Sequence, residues 1–361
     1  MNEQRELRGD CDPDSIRGRL QRALDGQVVD RPVYVAYDWF VQNRPIDWPS
    51  LFEQGLGQVA HADLVTVHRP NVEMVETTQE IDGRVHRHVC WTTDRGELHE
   101  WHLGEWQREF LIKTPKDYRI LQRALEGTRY GSTPEPFERA EQRIGDSGIT
   151  VGQLGWTPIR RTPVLQVQVD FAGPERLAMD LLDEVPELME LLELMTELTL
   201  EKVREAAKGP ARYIKLWENL TIEMLGPRQY ERHLMPLYRQ ILEILEAAHK
   251  RLVVHYDGKT RSIAGQIASL DFDGLDSLTP APEGDMPIAE ARARWPDKFF
   301  WMNPSADWYR EDRSTLAARI RQMVRDAGPR RYCLMISEEV PPNWRETVPT
   351  VLQTLDEMQV V

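Results

Sequence analysis

Cysteine is scarce in this chain. Cys11, Cys90 and Cys333 are the whole complement of its 361 residues, far apart and with no Cys-x-x-Cys spacing. A disulfide framework is therefore not expected, and a reducing setting, the cytoplasm, is. Cationic runs are missing too. The net charge is −14, with no block of Lys and Arg and no basic stripe laced with aromatics. Binding to phosphate backbones needs clustered cations, so nucleic acid is not an expected partner. No run of about 18 apolar residues exists to span a bilayer. The first residues, Met1-Asn-Glu-Gln-Arg-Glu-Leu-Arg8, are charged throughout, unlike a signal peptide. Low-complexity segments and short-period repeats are also lacking.

With 41% hydrophobic and 29% charged residues, the chain can bury a sizeable core, as one large domain or two medium ones. Its coarse rhythm is strand then helix. Eight apolar strand candidates stand out: Val33–Tyr37, Leu64–Val67, Ile149–Gly152, Tyr213–Trp217, Leu252–His255, Phe272–Leu275, Phe299–Asn303 and Cys333–Ser337. Helical periodicity is clearest over Val185–Ala207, with Leu188, Leu191, Leu192, Met195, Leu198 and Leu200 on one stripe. It recurs over Tyr230–His249, where Pro236 belongs near the first turn or at a kink. Strands alternating with helices predict an α/β fold with a parallel sheet, and eight of them predict a closed (β/α)₈ barrel. We read residues 1–361 as one such domain with an N-terminal extension.

Residues 72–103 break the rhythm. Val72–Ile81, Arg84–Thr92 and Glu97–Leu103 read as strands joined by Asp82-Gly83 and Asp94-Arg-Gly96 turns. In a barrel this is a β-hairpin insertion after the second strand, either a stabilising flap or a pocket wall. Its histidines, His86, His88, His99 and His102, alternate like an exposed strand face.

The chemistry centres on Leu252-Val-Val-His255-Tyr-Asp257-Gly258. His255 and Asp257 are two apart, so on a strand both side chains take the same face. Such a pair is either two-thirds of a metal site or an acid–base pair. Glu218, in Lys215-Leu-Trp-Glu-Asn219, ends the fourth strand candidate and is a candidate acid or base. Trp217 and Asn219 flank it as candidate substrate contacts, together with Asn303 at the end of the seventh strand. Tyr34, Tyr37 and Asp38 leave the first strand, and His68 ends the second; His61, at the other end of the second, reads as structural. Trp39, Trp48, Trp156, Trp217, Trp301, Trp308 and Trp344 are many tryptophans for strand ends and loops, which suits a flat organic ligand. Gly152-Gln-Leu-Gly155 is not a phosphate loop, because it lacks the Lys and the Ser or Thr.

Several segments, in order along nearly the whole chain, resemble the uroporphyrinogen decarboxylase superfamily: Arg31-Pro-Val-Tyr34, His61-Ala-Asp-Leu-Val65, Trp217-Glu-Asn-Leu220, Gly226-Pro-Arg-Gln-Tyr230, His255-Tyr-Asp-Gly258, Phe272-Asp-Gly-Leu275 and Glu338-Glu-Val-Pro-Pro342. The resemblance implies a (β/α)₈ barrel and one of two chemistries. One is cofactor-free decarboxylation of tetrapyrrole acetates. The other is methyl transfer involving a corrinoid, with zinc held by His-x-Cys at the end of the fifth strand and a further Cys after the last. Here the zinc positions fall on His255, Asp257 and Glu338, so both thiolates would be carboxylates. A His, Asp and Glu shell suits zinc or another divalent transition metal, as a stronger Lewis acid than a thiolate site.

The decarboxylases' Arg-rich loop is replaced by Asp38-Trp-Phe-Val-Gln-Asn-Arg44. A mouth gathering Asp38, Glu218, Asp257 and Glu338 would repel an octacarboxylate substrate. The leading expectation is a metal-dependent methyltransferase that demethylates a methoxylated small molecule onto a corrinoid protein. A carboxylate-based lyase or decarboxylase and a non-catalytic binding barrel are the alternatives. The expected partners are a small-molecule substrate, the corrinoid protein and, in a homodimer, a second copy of the chain.

Overall fold

The computed structural model describes residues 12–104, 106–154 and 160–358; Cys11, Gly155 and Trp156 lie outside them. Among the described residues fourteen strands run in chain order. They are β1 Tyr34–Tyr37, β2 Gly57–Asp63, β3 Val65–His68, β4 Glu73–Ile81, β5 Arg84–Thr93, β6 Gly96–Leu103, β7 Trp106–Glu109, β8 Arg129–Ser132, β9 Gly148–Gln153, β10 Tyr213–Leu216, β11 Arg251–His255, β12 Gly274–Leu278, β13 Phe299–Met302 and β14 Tyr332–Met335. Eight of them close a parallel barrel in the order β1-β14-β13-β12-β11-β10-β9-β2, with helices on the crossovers. The expected α/β barrel is the observed fold. Its strands are buried almost throughout, as strands covered by helices outside and packed side chains inside must be. At Gly148 the strands approach so closely that a Cβ would lie 1.8 Å from the Gln58 carbonyl oxygen, so the β2–β9 register admits only glycine there.

Two barrel strands depart from the expected positions. The second is Gly57–Asp63, earlier than Leu64–Val67. Its sequence, Gly-Gln-Val-Ala-His-Ala-Asp, mixes small and polar residues and hides its strand character. Val65–His68 is a strand, but it pairs antiparallel with β8 outside the barrel. The sixth runs Gly274–Leu278, shifted along from Phe272–Leu275; its buried polar residues, Asp276 and Ser277, break the apolar run that marks a strand. Its register slips between Leu275 and Leu278, where Ser277 holds φ +67°. A bulge of this kind re-aims side chains at a sheet end.

The excursion after β2 is a four-stranded antiparallel sheet, β4-β5-β6-β7, one strand more than expected. Asp82 and Gly83 both have positive φ, as the tight hairpin turn between β4 and β5 requires. Val89, Trp91 and Leu98 bury one face of the sheet, while β4 is exposed along its length. The long helix Pro186–Ala207 buries Leu188, Leu191, Leu192, Met195 and Leu198 as one stripe and leaves Leu200 half-buried. Pro236 sits in the first turn of Met235–Ala247. No helix among the described residues is long and apolar enough to cross a membrane.

Candidate active site at the barrel mouth

The C-terminal ends of the barrel strands converge on a buried charge network. Lys215 on β10 forms an ion pair with Asp276 on β12, each side chain at most 3% exposed. The second partner of Asp276 is His255, whose Nδ1 is 2.5 Å from Oδ2. The Tyr37 hydroxyl donates to both Asp276 oxygens, at 3.1 and 3.0 Å. Aromatic rings wall in the ammonium: Lys215 Nζ stands 3.5 Å from the Trp217 ring centre and 4.7 Å from that of Tyr37. Trp39 stacks on Tyr37 at 4.0 Å, and the imidazole of His61 packs 5.0 Å from Trp217.

The protonation states follow from these neighbours. Burial alone would raise the Asp276 carboxyl, but the Lys215 ammonium and the His255 imidazole outweigh it and hold it below the usual carboxylate range. Burial works to lower His255, yet the carboxylates of Asp257 and Asp276 prevail and lift it to about 9. Burial and the Lys215 charge push His61 down to about 4. Near neutral pH, then, His255 is an imidazolium and His61 a neutral ring, about the same aromatic cluster.

Above this network opens a cavity of about 540 Å³. Asp38, Trp39, His61, Trp217, Asn219, His255 and Glu338 line it, as do Gln42, Gln153, Arg160 and Arg161. Asp38 accepts from Gln42 and Arg143, each at 2.9 Å. Trp217 Nε1 donates to Gln153 at 2.7 Å. Arg160 and Arg161 both pair with Asp170, and Gln107 of β7 donates to the Asp170 carbonyl at 3.1 Å. Among the described residues the hairpin sheet contributes no lining residue; it buttresses the segment that carries Asp170, the partner of the two arginines.

Other expected site residues stand elsewhere. Glu218 is fully buried and off the cavity: it accepts from the Thr162 backbone and hydroxyl at 3.0 Å each, and from Tyr238 at 3.0 Å. Strand alternation explains this, since Lys215 and Trp217 point inward and the next residue must point out. Burial raises the Glu218 carboxyl against those hydrogen bonds. Tyr34 faces the core on the other side of β1 from Tyr37 and meets the Tyr309 hydroxyl at 2.9 Å. His68 belongs to β3, outside the barrel, and is exposed. Asn303 is fully buried below the mouth; it donates to Glu338 at 2.6 Å and to Ser277 at 2.9 Å. His61 is not merely structural packing at the base of a strand: it lines the cavity from β2.

The three expected metal ligands come together only in part. His255 Nε2 lies 3.6 Å from Asp257, which also accepts from Asn219 at 3.2 Å. Glu338 turns instead to Ser277 and Asn303. His255, Asp257 and Glu338 are thus not among the His, Cys, Asp and Glu groups whose ligand atoms all lie within 4.8 Å. As a three-ligand cage they do not fit a metal. Asp257 lines a neighbouring cavity of about 350 Å³, which shares Glu338 with the first.

The model of the family described as uroporphyrinogen decarboxylase (URO-D) matches residues 171–355, just over half of the chain. This protein belongs to the uroporphyrinogen decarboxylase family. The matched stretch carries Lys215, His255, Asp276, Asn303 and Glu338, whereas Asp38, His61, the hairpin sheet and the arginine pair precede it. No curated protein matches the chain. Among solved structures, a putative vitamin-B12 independent methionine synthase from Listeria monocytogenes aligns at 14% identity and TM-score 0.41, covering 63% of this chain and 69% of its own. A B12-independent methionine synthase from Shewanella sp. W3-18-1, in complex with selenomethionine, aligns at 8% identity and TM-score 0.44, covering 86% and 84%. Likenesses so distant say nothing of this family member's chemistry.

Proposed function

We propose that this family member is a cofactor-free lyase that decarboxylates a flat, carboxylate-bearing small molecule. The observation that carries the reading is His255: an imidazolium fixed at Nδ1 by a buried Asp276, with its protonated Nε2 at the cavity wall, 3.6 Å from Asp257. In decarboxylation the bond to the carboxylate breaks, carbon dioxide leaves, and the electron pair stays on carbon. His255 Nε2 gives that carbon its proton and recovers one from water. Fixing an imidazole through its other nitrogen sets both its tautomer and its aim. Lys215 holds Asp276 ionised while the Trp39 and Trp217 rings supply faces for a planar ligand.

The expected repulsion of acidic substrates is softened here. Glu218 and Asp257 do not line the cavity, and Arg160 and Arg161 do. A volume of about 540 Å³ accommodates a small molecule. The direct test is to incubate the purified enzyme with aromatic and heteroaromatic carboxylates in deuterated water. Carbon dioxide release, with deuterium at the vacated carbon, both lost in His255→Gln and kept in Glu218→Gln, is the expected outcome. Activity that persists in His255→Gln would sink the assignment.

A second reading keeps the superfamily's other chemistry, methyl transfer from a methoxylated small molecule to a corrinoid on a partner protein. One observation favours it: a carboxylate holding Nδ1 while Nε2 faces Asp257 is also how a metal-bound imidazole is supported. Methyl release that requires both the corrinoid protein and a transition metal, and that fails in Asp257→Asn, would establish it over the first.

A further inference from the structure

The outer face of the hairpin sheet holds a second constellation. Pairing of β5 with β6 sets Cys90 opposite His99, Thr92 opposite Glu97 and His88 opposite Trp101. Residues two apart on a strand share a face, so Cys90, His99, Glu97 and His88 emerge together, on the side away from the buried Val89, Trp91 and Leu98. One ligand atom from each of Cys90, Glu97 and His99 lies within 4.8 Å of the other two. Among the described residues this is the one such group of three.

A further contact aims His99. Its Nδ1 stands 3.1 Å from Nε2 of His88, and the His88 ring is itself stacked on Trp101 at 4.0 Å and 16°. A proton on Nδ1 directed at His88 leaves the Nε2 lone pair free, on the side of the Glu97 carboxylate 3.5 Å away. An imidazole held through its second nitrogen in this way has the orientation that a metal ion needs, and a bound ion would select the tautomer with the proton on Nδ1.

We propose that this face binds a divalent metal of zinc type through Cys90 Sγ, the Glu97 carboxylate and His99 Nε2, independently of the barrel mouth. Thiolate, imidazole and carboxylate together form the mixed set that zinc accepts, and three protein ligands leave a fourth position for water. The Cys90 thiol gives up its proton on binding. It is half-buried beside Thr92 Oγ1 at 3.6 Å, close enough to the surface for an ion to enter. Because the ligands come from two neighbouring strands, the ion would tie β5 to β6 and stabilise the sheet that props the Asp170 segment.

Cobalt(II) titration of the metal-free full-length protein tests this. A thiolate-to-cobalt charge-transfer band that saturates at one equivalent and is displaced by zinc is expected. Cys90→Ser should abolish the band. His99→Ala and Glu97→Gln should each weaken zinc binding by at least about tenfold, and His88→Ala by roughly 10- to 100-fold, the usual effect of losing an orienting partner. His255→Ala should leave the band and the affinity unchanged. Absence of a thiolate band in the parent protein, a band that survives Cys90→Ser, or a band lost with His255→Ala would each overturn the proposal.

Discussion

His255 and His99 both stand on strands beside a carboxylate, but the His255 side chain is 3% exposed and that of His99 is 41% exposed. In the barrel each charge is answered by another: Lys215 by Asp276, Asp276 by His255 and Tyr37, His255 by Asp257. Water cannot screen these pairs, so the surroundings dictate protonation, with His255 lifted to about 9 and His61 lowered to about 4 within one aromatic cluster. On the sheet, similar side chains face solvent, where ion pairs contribute little and geometry alone distinguishes one site from another. Burial, not residue type, separates a tuned proton donor from a set of open ligand positions.

The sharpest way to break that contrast is to remove the counter-ion shared by Lys215 and His255. Asp276→Asn leaves the buried Lys215 ammonium without its anion and His255 with Asp257 alone, and losing one partner of a buried pair costs about 3–5 kcal/mol. Urea unfolding should show a loss of that order. A loss below about 1 kcal/mol, the scale of exposed pairs, would mean the mouth is as wet as the sheet.

Next comes the pH dependence of stability. His255 binds its proton more tightly folded than unfolded, so its contribution is complete below about pH 6.5 and is lost as pH rises through about 9. His61 behaves oppositely. Its folded form resists protonation down to about 4, so stability falls as pH drops from about 6.5 towards 4. The protein should therefore be most stable between the two slopes. His255→Gln should flatten the alkaline slope and His61→Gln the acid one, read from melting temperatures across pH. Parallel curves for either variant and the parent would remove that histidine from the network.

Smaller again is the effect expected at Glu218. Glu218→Ala strips the acceptor from the Thr162 N–H and from Tyr238, and unsatisfied buried donors cost about 1–3 kcal/mol. The loss should appear in unfolding and not in the pH profile of any activity. A shifted pH–rate limb in Glu218→Gln would return the residue to the mouth.

Glu218 also shows where sequence reading ran out. The barrel, six of its eight strands, and the placing of Asp38, Trp217, Asn219, His255 and Glu338 at strand ends were legible from apolar runs, turn signals and family-like segments. Alternation applied from Trp217 would have turned Lys215 inward and Glu218 outward, and applied across β1 it would have separated Tyr34 from Tyr37. Asp276 was harder, since it depends on a bulge in β12 that no local residue pattern announces. Arg160 and Arg161 reach the cavity on a segment held by Asp170, Gln166 and the Trp217 carbonyl, with the distant Gln107 on Asp170, long-range contacts that spacing cannot reveal. Cys90, Glu97 and His99 meet across two strands, so their proximity needs the register of β5 on β6, which the hairpin turn fixes but does not advertise.

The smallest expected effect sits on that sheet. In metal-free protein, Cys90→Ser replaces one small, half-buried side chain with another of nearly the same shape, and no buried charge loses a partner. Its cost should stay within about 0.5 kcal/mol, as for surface substitutions generally. With zinc present the parent should gain melting temperature by mass action on the folded state, and Cys90→Ser should not. The contrast between the regions then becomes one experiment: zinc raises the melting temperature of Asp276→Asn as it does the parent's, because the barrel charge network and the sheet ligands share no residue. If zinc failed to stabilise Asp276→Asn while stabilising the parent, the two sites would be coupled, and the Gln107–Asp170 contact that joins sheet to mouth would be the first place to look.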